Sequence, residues 1–332
     1  SLLNQSYKNL EIILVDDAST DGEETRNLIR KYEEQFPNTV LAVFLAENMR
    51  QGGARNAGVF YAKGEYLTFC DADDWLLEEA LEHAYDTAKK YNADIVAFAR
   101  KETGERDVHM SLEKGSGNKF FELSEVEKKR KFLLNMDEEG YSSQNKLFRL
   151  SLLHEKHIAF AEHLIMEEPS FVLPVRLYAE RYYYLDEKLY VYYHSTGSTL
   201  RSGDWEKRKW DNLQVWVSLI EDLRNRDLLF VYWQEIEYLF FTMGLGWSLA
   251  MMFQRGCILN GEEWKIFANI VYQMIPTIRE NPYVKKESHP FNQAWNSLLL
   301  AVLDMEFSDA DVAAANRAMI ESAQAFSACP VF

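Results

Sequence analysis

Tyr66-Leu67-Thr68-Phe69-Cys70-Asp71-Ala72-Asp73-Asp74-Trp75 is an apolar run that ends in three aspartates and a tryptophan. The run predicts a buried strand over 66–70, and the periodicity that follows predicts an amphipathic helix over 76–91. The same grammar occurs upstream, where the strand-like EIILV over 11–15 ends in Asp16-Asp17. Thr20, Asp21 and Gly22 then supply cap chemistry for a helix over 23–35. Further strands are expected over 40–45 and 95–99, and a helix over 52–62. Strands separated by helices of this length predict right-handed βαβ units, an α/β fold with a mostly parallel sheet flanked by helices. Ligands in such sheets bind beyond the carboxyl ends of strands, which is where both acidic clusters fall.

Downstream the pattern changes twice. Residues 101–135 are polar, and the Gly/Ser/Lys stretch over 114–119 reads as a mobile loop. Aromatic strands are expected over 182–185 and 189–193, flanking a turn at Asp186-Glu187-Lys188. From Trp205 the sequence takes on long helical periodicity rich in Trp, Leu and Met, broken at Gly256, Gly261, Pro276 and Pro282, which predicts an all-α C-terminal region. The domain boundary is placed at 204, giving domains over 1–204 and 205–332.

Composition narrows the function. The 332 residues carry 52 Asp plus Glu against 36 Lys plus Arg, a net charge of -16. Such a balance argues against a nucleic-acid partner, whose phosphates call for basic stripes. An anionic ligand bound by this chain therefore needs an added cation. Three cysteines without paired spacing point to a reducing compartment. The first residues show no basic and apolar leader, so no secretory signal is expected. The uncharged run over 239–253 is shorter than the roughly 20 residues that span a bilayer, and it reads as a buried helix. Peripheral membrane docking is the lesser alternative.

Three constellations can carry chemistry. In the first, Asp71 and Asp73, one residue apart at a strand end, can reach one hard cation whose coordination a diphosphate completes. The competing role for Asp73 and Asp74 is to cap the following helix. In the second, Asp17 can accept hydrogen bonds from a base or ribose edge, or belong to a capped turn. The third is Asn48-Met49-Arg50-Gln51-Gly52-Gly53-Ala54-Arg55-Asn56-Ala57-Gly58. Its paired glycines open a helix to an anion and Arg55 offers a forked donor for phosphate. Asn56 can equally tie the helix to a neighbouring strand.

Together, VDDASTDG (15–22), the segment ending in ARNAG (54–58) and AKGEYLTFCDADDWL (62–76) resemble the nucleotide-sugar-binding half of family 2 glycosyltransferases, inverting enzymes of the GT-A fold. Gln144-Asn145-Lys146-Leu147-Phe148-Arg149 is similar to the family's Trp-Asn-Lys-Leu-Tyr segment. Met166-Glu167-Glu168 falls where the family has an Asp-containing pair. Tyr193-His194-Ser195-Thr196-Gly197-Ser198 is similar to its Tyr-Arg/His-x-x-x-Ser ending. The likeness covers about residues 1–200 and does not extend to 205–332. The family's opening strand, Val-Ser-Val-Ile-Ile-Pro-x-Tyr-Asn, lies before the first residue of this chain.

The resemblance implies roles position by position. Asp17 matches the base-binding acid, Asp71 the acid near the ribose and Asp73 the metal ligand for Mn2+ or Mg2+. His194 matches a position that contacts metal or diphosphate. Glu168, in place of the usual aspartate, matches the general base that deprotonates the acceptor hydroxyl. Without the resemblance, Glu167 and Glu168 read as an acidic pair ahead of a helix starting at Pro169, and His194 as a structural histidine among tyrosines.

The implied function is metal-dependent inverting transfer of a hexose or N-acetylhexosamine from a UDP-sugar to a glycan or lipid-linked acceptor, in surface polysaccharide synthesis. The expected setting is cytoplasmic or peripheral at the inner face of the plasma membrane, and an oligomer is compatible with it. The helical region would pack as plain core, hold the acceptor or form that oligomer. The rival readings are a non-catalytic nucleotide-sugar-binding scaffold and a sugar nucleotidyltransferase.

Overall fold

The computed structural model describes residues 1–105, 110–134, 140–194, 205–287 and 290–326, and separates into two compact units, Ser1–Ser202 and Gly203–Phe332.

The first unit runs β1 (Ile12–Asp16), α1 (Glu24–Gln35), β2 (Val40–Phe44), α2 (Arg50–Tyr61), β3 (Tyr66–Thr68), β4 (Trp75–Leu76), α3 (Ala80–Tyr91), β5 (Ile95–Thr103), β6 (Lys119–Glu122), α4 (Val126–Leu134), β7 (Lys146–Arg149), α5 (Leu150–Glu155), α6 (Glu168–Tyr178) and β8 (Arg181–Tyr193). The expected β-α alternation holds through β5 except that the short β4 follows β3 directly. β1 and β2 form a parallel two-stranded sheet, and the other six strands form a mixed one in the order β3-β7-β5-β8-β4. In that second sheet β5 and β8 are parallel, whereas β7 is antiparallel to both β3 and β5. β4 and β6 both lie antiparallel along the outer edge of β8.

Why β5 sits centrally is written in its residues. Ile95, Val96, Ala97 and Phe98 have no exposed surface, so the strand is buried on both faces. Ile95 and Ala97 join a core with Phe148, Phe171, Val172 and Tyr182 on the α5–α6 side. Val96 and Phe98 join Ala80, Ala84, Ala88 and Leu147 under α3. The three alanines recur every four residues, which lays one smooth helical stripe on the sheet.

Three expected elements come out differently. The helix foreseen over 76–91 begins only at Ala80, because Trp75 and Leu76 pair with Val191 and Tyr190. The aromatic stretches on either side of Asp186 are one strand with an irregularity, since both halves run parallel to β5. The stretch read as a mobile loop is pinned to that irregularity. Lys114 bridges Glu187, the Gly115 and Gly117 amides donate to Asp186, and β6 follows at once.

The second unit is helical, with helices over Asp211–Asn225, Gly261–Met274, Pro290–Val302 and Asp309–Phe326. The apolar run over 239–253 belongs to a helix of 22 residues, Trp233–Gln254, long and apolar enough to cross a membrane, contrary to the length argument made from the run alone. Residues Phe240–Gly246 take a π-helical turn within it. Phe240, Phe241, Leu245, Leu249 and Phe253 are buried inside the unit, as expected of a core helix. Trp216 is buried, and Trp210, Trp233 and Trp247 are half-buried. The side chain of Trp205 and residues 195–204, with the Ser195–Ser198 part of the ending motif, lie outside the described residues, as does Cys329.

Candidate active site

The site is built on the turn between β3 and β4. The Asp71 carboxylate is held at both oxygens, by the Arg55 guanidinium at 2.9 Å and the Gln144 amide at 2.9 Å. Asp74 accepts from the Tyr190 hydroxyl at 2.5 Å and the Tyr193 amide at 2.8 Å, both on β8. Neither Asp73 nor Asp74 caps the following helix, because α3 starts only at Ala80, after Glu79. Burial raises the Asp74 carboxyl above its ordinary range, although the bond from Tyr190 opposes the rise. Cys70, between two acids, is pushed up to about 12 by burial and by the charges of Asp71 and Asp74, so its thiol stays protonated. Asp73 is different. Its carboxylate is exposed and accepts no hydrogen bond among the described residues.

Arg55 closes the long gap in sequence. It lies on α2, only 9% exposed, and one nitrogen of its fork reaches Asp71 while another pairs with Glu167. The fork expected for phosphate therefore holds two carboxylates. Burial works against its charge, but Asp71, Glu168 and Glu167 outweigh that and raise its pKa. Glu167, 1% exposed, is the residue that sequence reasoning passed over as part of a solvated pair. Burial lifts its carboxyl to about 7; Arg55 opposes the lift and Glu168 adds to it. One cation thus sits among three acids drawn from two parts of the chain.

The glycines before Arg55 allow close packing. A Cβ on Gly52 would lie 2.0 Å from the Ala161 carbonyl oxygen, so only glycine lets α2 lean on the segment that leads to Glu167. Asn56 ties the same two segments, donating to Phe160 O and accepting from Phe160 N. Met166 has φ of 63°, a left-handed residue immediately before Glu167 and Glu168. Strain of this kind persists where surroundings fix it.

Glu168 opens α6 and is half-buried, with Pro169 next to it, so the helix-start reading is also correct. Its Oε1 accepts from the Ser143 amide at 2.8 Å and the Ser143 hydroxyl at 2.9 Å. His194 directly follows the last residue of β8, Tyr193. Its Nε2 lies 3.1 Å from Glu102 and its ring meets Tyr192 edge-on. Asp17 stands apart from this network: its carboxylate accepts the Met49 amide at 2.6 Å and its carbonyl the Asn48 side chain.

Among the described residues no three Asp, Glu, His or Cys side chains converge as a metal-ligand group. A hard cation that takes one carboxylate and completes its shell with diphosphate oxygens and water still fits Asp73. Each Asp71 oxygen already accepts one hydrogen bond, from Arg55 or Gln144, and keeps one lone pair for a further partner.

The fold is GT-A, an α/β layout with a helical region after it. Residues 1–155 match the family described as Glycosyl transferase family 2, and this segment belongs to that family. A poly(ribitol-phosphate) beta-glucosyltransferase of Bacillus spizizenii is 32% identical over 196 residues, 56% of this chain and 29% of that protein. A GalNAc(5)-diNAcBac-PP-undecaprenol beta-1,3-glucosyltransferase of Campylobacter jejuni is 31% identical over 58% of each chain. The crystal structure of Staphylococcus aureus TarS 1-349 in complex with UDP-GlcNAc superposes with a TM-score of 0.64 at 18% identity, covering 98% of this chain and 86% of that one. The chain thus spans less than a third of the first of these relatives and just over half of the second.

Proposed function

We propose that this chain is an inverting glycosyltransferase that moves a hexose or N-acetylhexosamine from a UDP-sugar to a glycan or lipid-linked acceptor in surface polysaccharide synthesis. The observation that carries the reading is the joining of the Asp71–Asp74 turn to Glu168, 95 residues after Asp73, through Arg55, Glu167 and the segment over 143–144. The two glucosyltransferase relatives and the UDP-GlcNAc in the TarS structure support the donor class and the polymer or lipid-linked acceptor. The setting that suits such an acceptor is the cytoplasm, at the inner face of the plasma membrane when the acceptor is lipid-linked.

In this reading Asp17 and Asp71 receive the base and ribose edges of the donor. Arg55 acts as a scaffold rather than a phosphate ligand. Asp73 would hold Mn2+ or Mg2+, and His194 would lie beside the diphosphate. A bound cation offsets the charge that develops on the departing diphosphate. Glu168 takes the proton of the acceptor hydroxyl as its oxygen bonds to the anomeric carbon and the bond to the nucleoside diphosphate breaks on the opposite face. Glutamate is one methylene longer than the aspartate the family uses, and the two bonds from Ser143 hold it in place. The domain over 1–204 is the catalytic one, and 205–332 is its helical companion.

The test separates binding from chemistry. Glu168→Gln keeps UDP-sugar affinity within about threefold by calorimetry and loses transfer by at least ~100-fold, the contribution of a general base. Transfer at the native rate in that variant places the base elsewhere.

A further inference from the structure

One short segment touches both halves of the site. Ser142, Ser143 and Gln144 lead into β7 and are consecutive. Ser143 is fully buried and gives both its amide and its hydroxyl to one oxygen of Glu168. The next residue, Gln144, gives its amide nitrogen to Asp71 Oδ2, while its own oxygen accepts from the Ser142 hydroxyl at 2.5 Å. The segment is anchored from beneath. The buried Lys146 ammonium donates to the Ser142 carbonyl at 2.6 Å, and Asn145 exchanges hydrogen bonds with Phe98 on β5 through its side chain and carbonyl.

We infer that Ser143 and Gln144 are positioning residues, one for the base and one for the donor-side acid, and that their adjacency sets the spacing between donor and acceptor chemistry. The inference rests on the reading of Glu168 as base. Both Ser143 bonds fall on Oε1, and among the described residues Oε2 accepts none. The acceptor proton therefore goes to Oε2 while Oε1 stays clamped. A carboxylate fixed at one oxygen keeps the other in line without losing rotational freedom at each turnover. Gln144 does the same for Asp71 against Arg55, whose charge would otherwise fix the orientation of that carboxylate alone.

The two neighbours then have separable effects. Ser143→Ala keeps the backbone donor and removes the hydroxyl, so it lowers kcat about tenfold, the worth of one charge-assisted hydrogen bond. Donor KM stays within twofold, and Ser143→Thr, which keeps the hydroxyl, recovers most of the loss. Gln144→Ala weakens UDP-sugar affinity about tenfold by calorimetry, an effect read without any turnover. Native kcat in Ser143→Ala overturns the inference, as does a parallel loss of kcat and donor affinity in both variants. Glu168→Gln is measured alongside. If it transfers like the native chain, the base assignment falls and Ser143's role with it; if it is silent while Ser143→Ala is native-like, the positioning inference alone falls.

Discussion

The turn after β1 and the turn after β3 are both acidic, both follow a strand and both read alike in sequence, yet they are wired differently. At the first, Asp16 is 2% exposed and bonded to Arg26 and to the Ser19 amide, and Asp17 reaches no further along the chain than Met49. Burial resists ionisation of Asp16, but the bonds from Ser19 and Arg26 prevail and hold its carboxyl below the usual range. At the second, the carboxylates engage Arg55, Gln144, Tyr190 and Tyr193, so three remote segments converge on six residues. The first turn ties its acids to α1 and to the residue before α2. The second leaves Asp73 exposed and ties its neighbours to segments much further along the chain.

Removing each turn's arginine is the strongest way to break the contrast. Arg55→Ala leaves Glu167 buried without a cation, which costs about 3–5 kcal/mol, and donor binding and transfer disappear with the network. Arg26→Ala, whose side chain is 25% exposed and screened by solvent, costs clearly less. Thermal unfolding of the two variants orders them, and equal losses would erase the distinction.

The next effect is a pH dependence. Glu167 ordinarily titrates at 4.5 and burial lifts it to about 7 in the folded chain. The folded state therefore holds that proton more tightly than the unfolded state does. Its stabilising contribution is complete below about 4.5 and fades as pH climbs through 7. Glu167→Gln flattens the fall in melting temperature between those limits relative to the native chain; an unchanged slope places the titrating group elsewhere.

The smallest expected effect is at the edge of the network. Tyr190→Phe removes one hydrogen bond to Asp74, worth about 1 kcal/mol. UDP-sugar affinity drops by about fivefold, measured by calorimetry, and a wild-type value would separate Asp74 from donor binding.

Much of this was legible in the residues, and the misses have a common cause. The strand end at Cys70 marked the acidic turn because strand ends and charge are local features. Val96 and Phe98 announced a buried strand by their apolarity. Glu167 looked solvated because its burial comes from α2, more than 100 residues earlier, leaning in at Gly52 and bringing Arg55 with it. Arg55 looked like a phosphate fork for the same reason, since its carboxylate partners lie 16 and 112 residues away. Pairing of Trp75 and Leu76 with β8 shortened the following helix, and pairing of both halves of β8 with β5 turned two expected strands flanking a turn into one strand. Long-range pairing overrode local propensity in each case.

The exposed carboxylate at the centre of the turn gives the most direct test. UDP release from UDP-GlcNAc in Mn2+ is measured for the native chain and for Asp73→Ala at the same protein concentration. The native chain releases UDP slowly without acceptor and the variant loses this at least ~100-fold, the scale of charge stabilisation at a departing group. Release by Asp73→Ala at the native rate contradicts the assignment of this turn as the donor's diphosphate site.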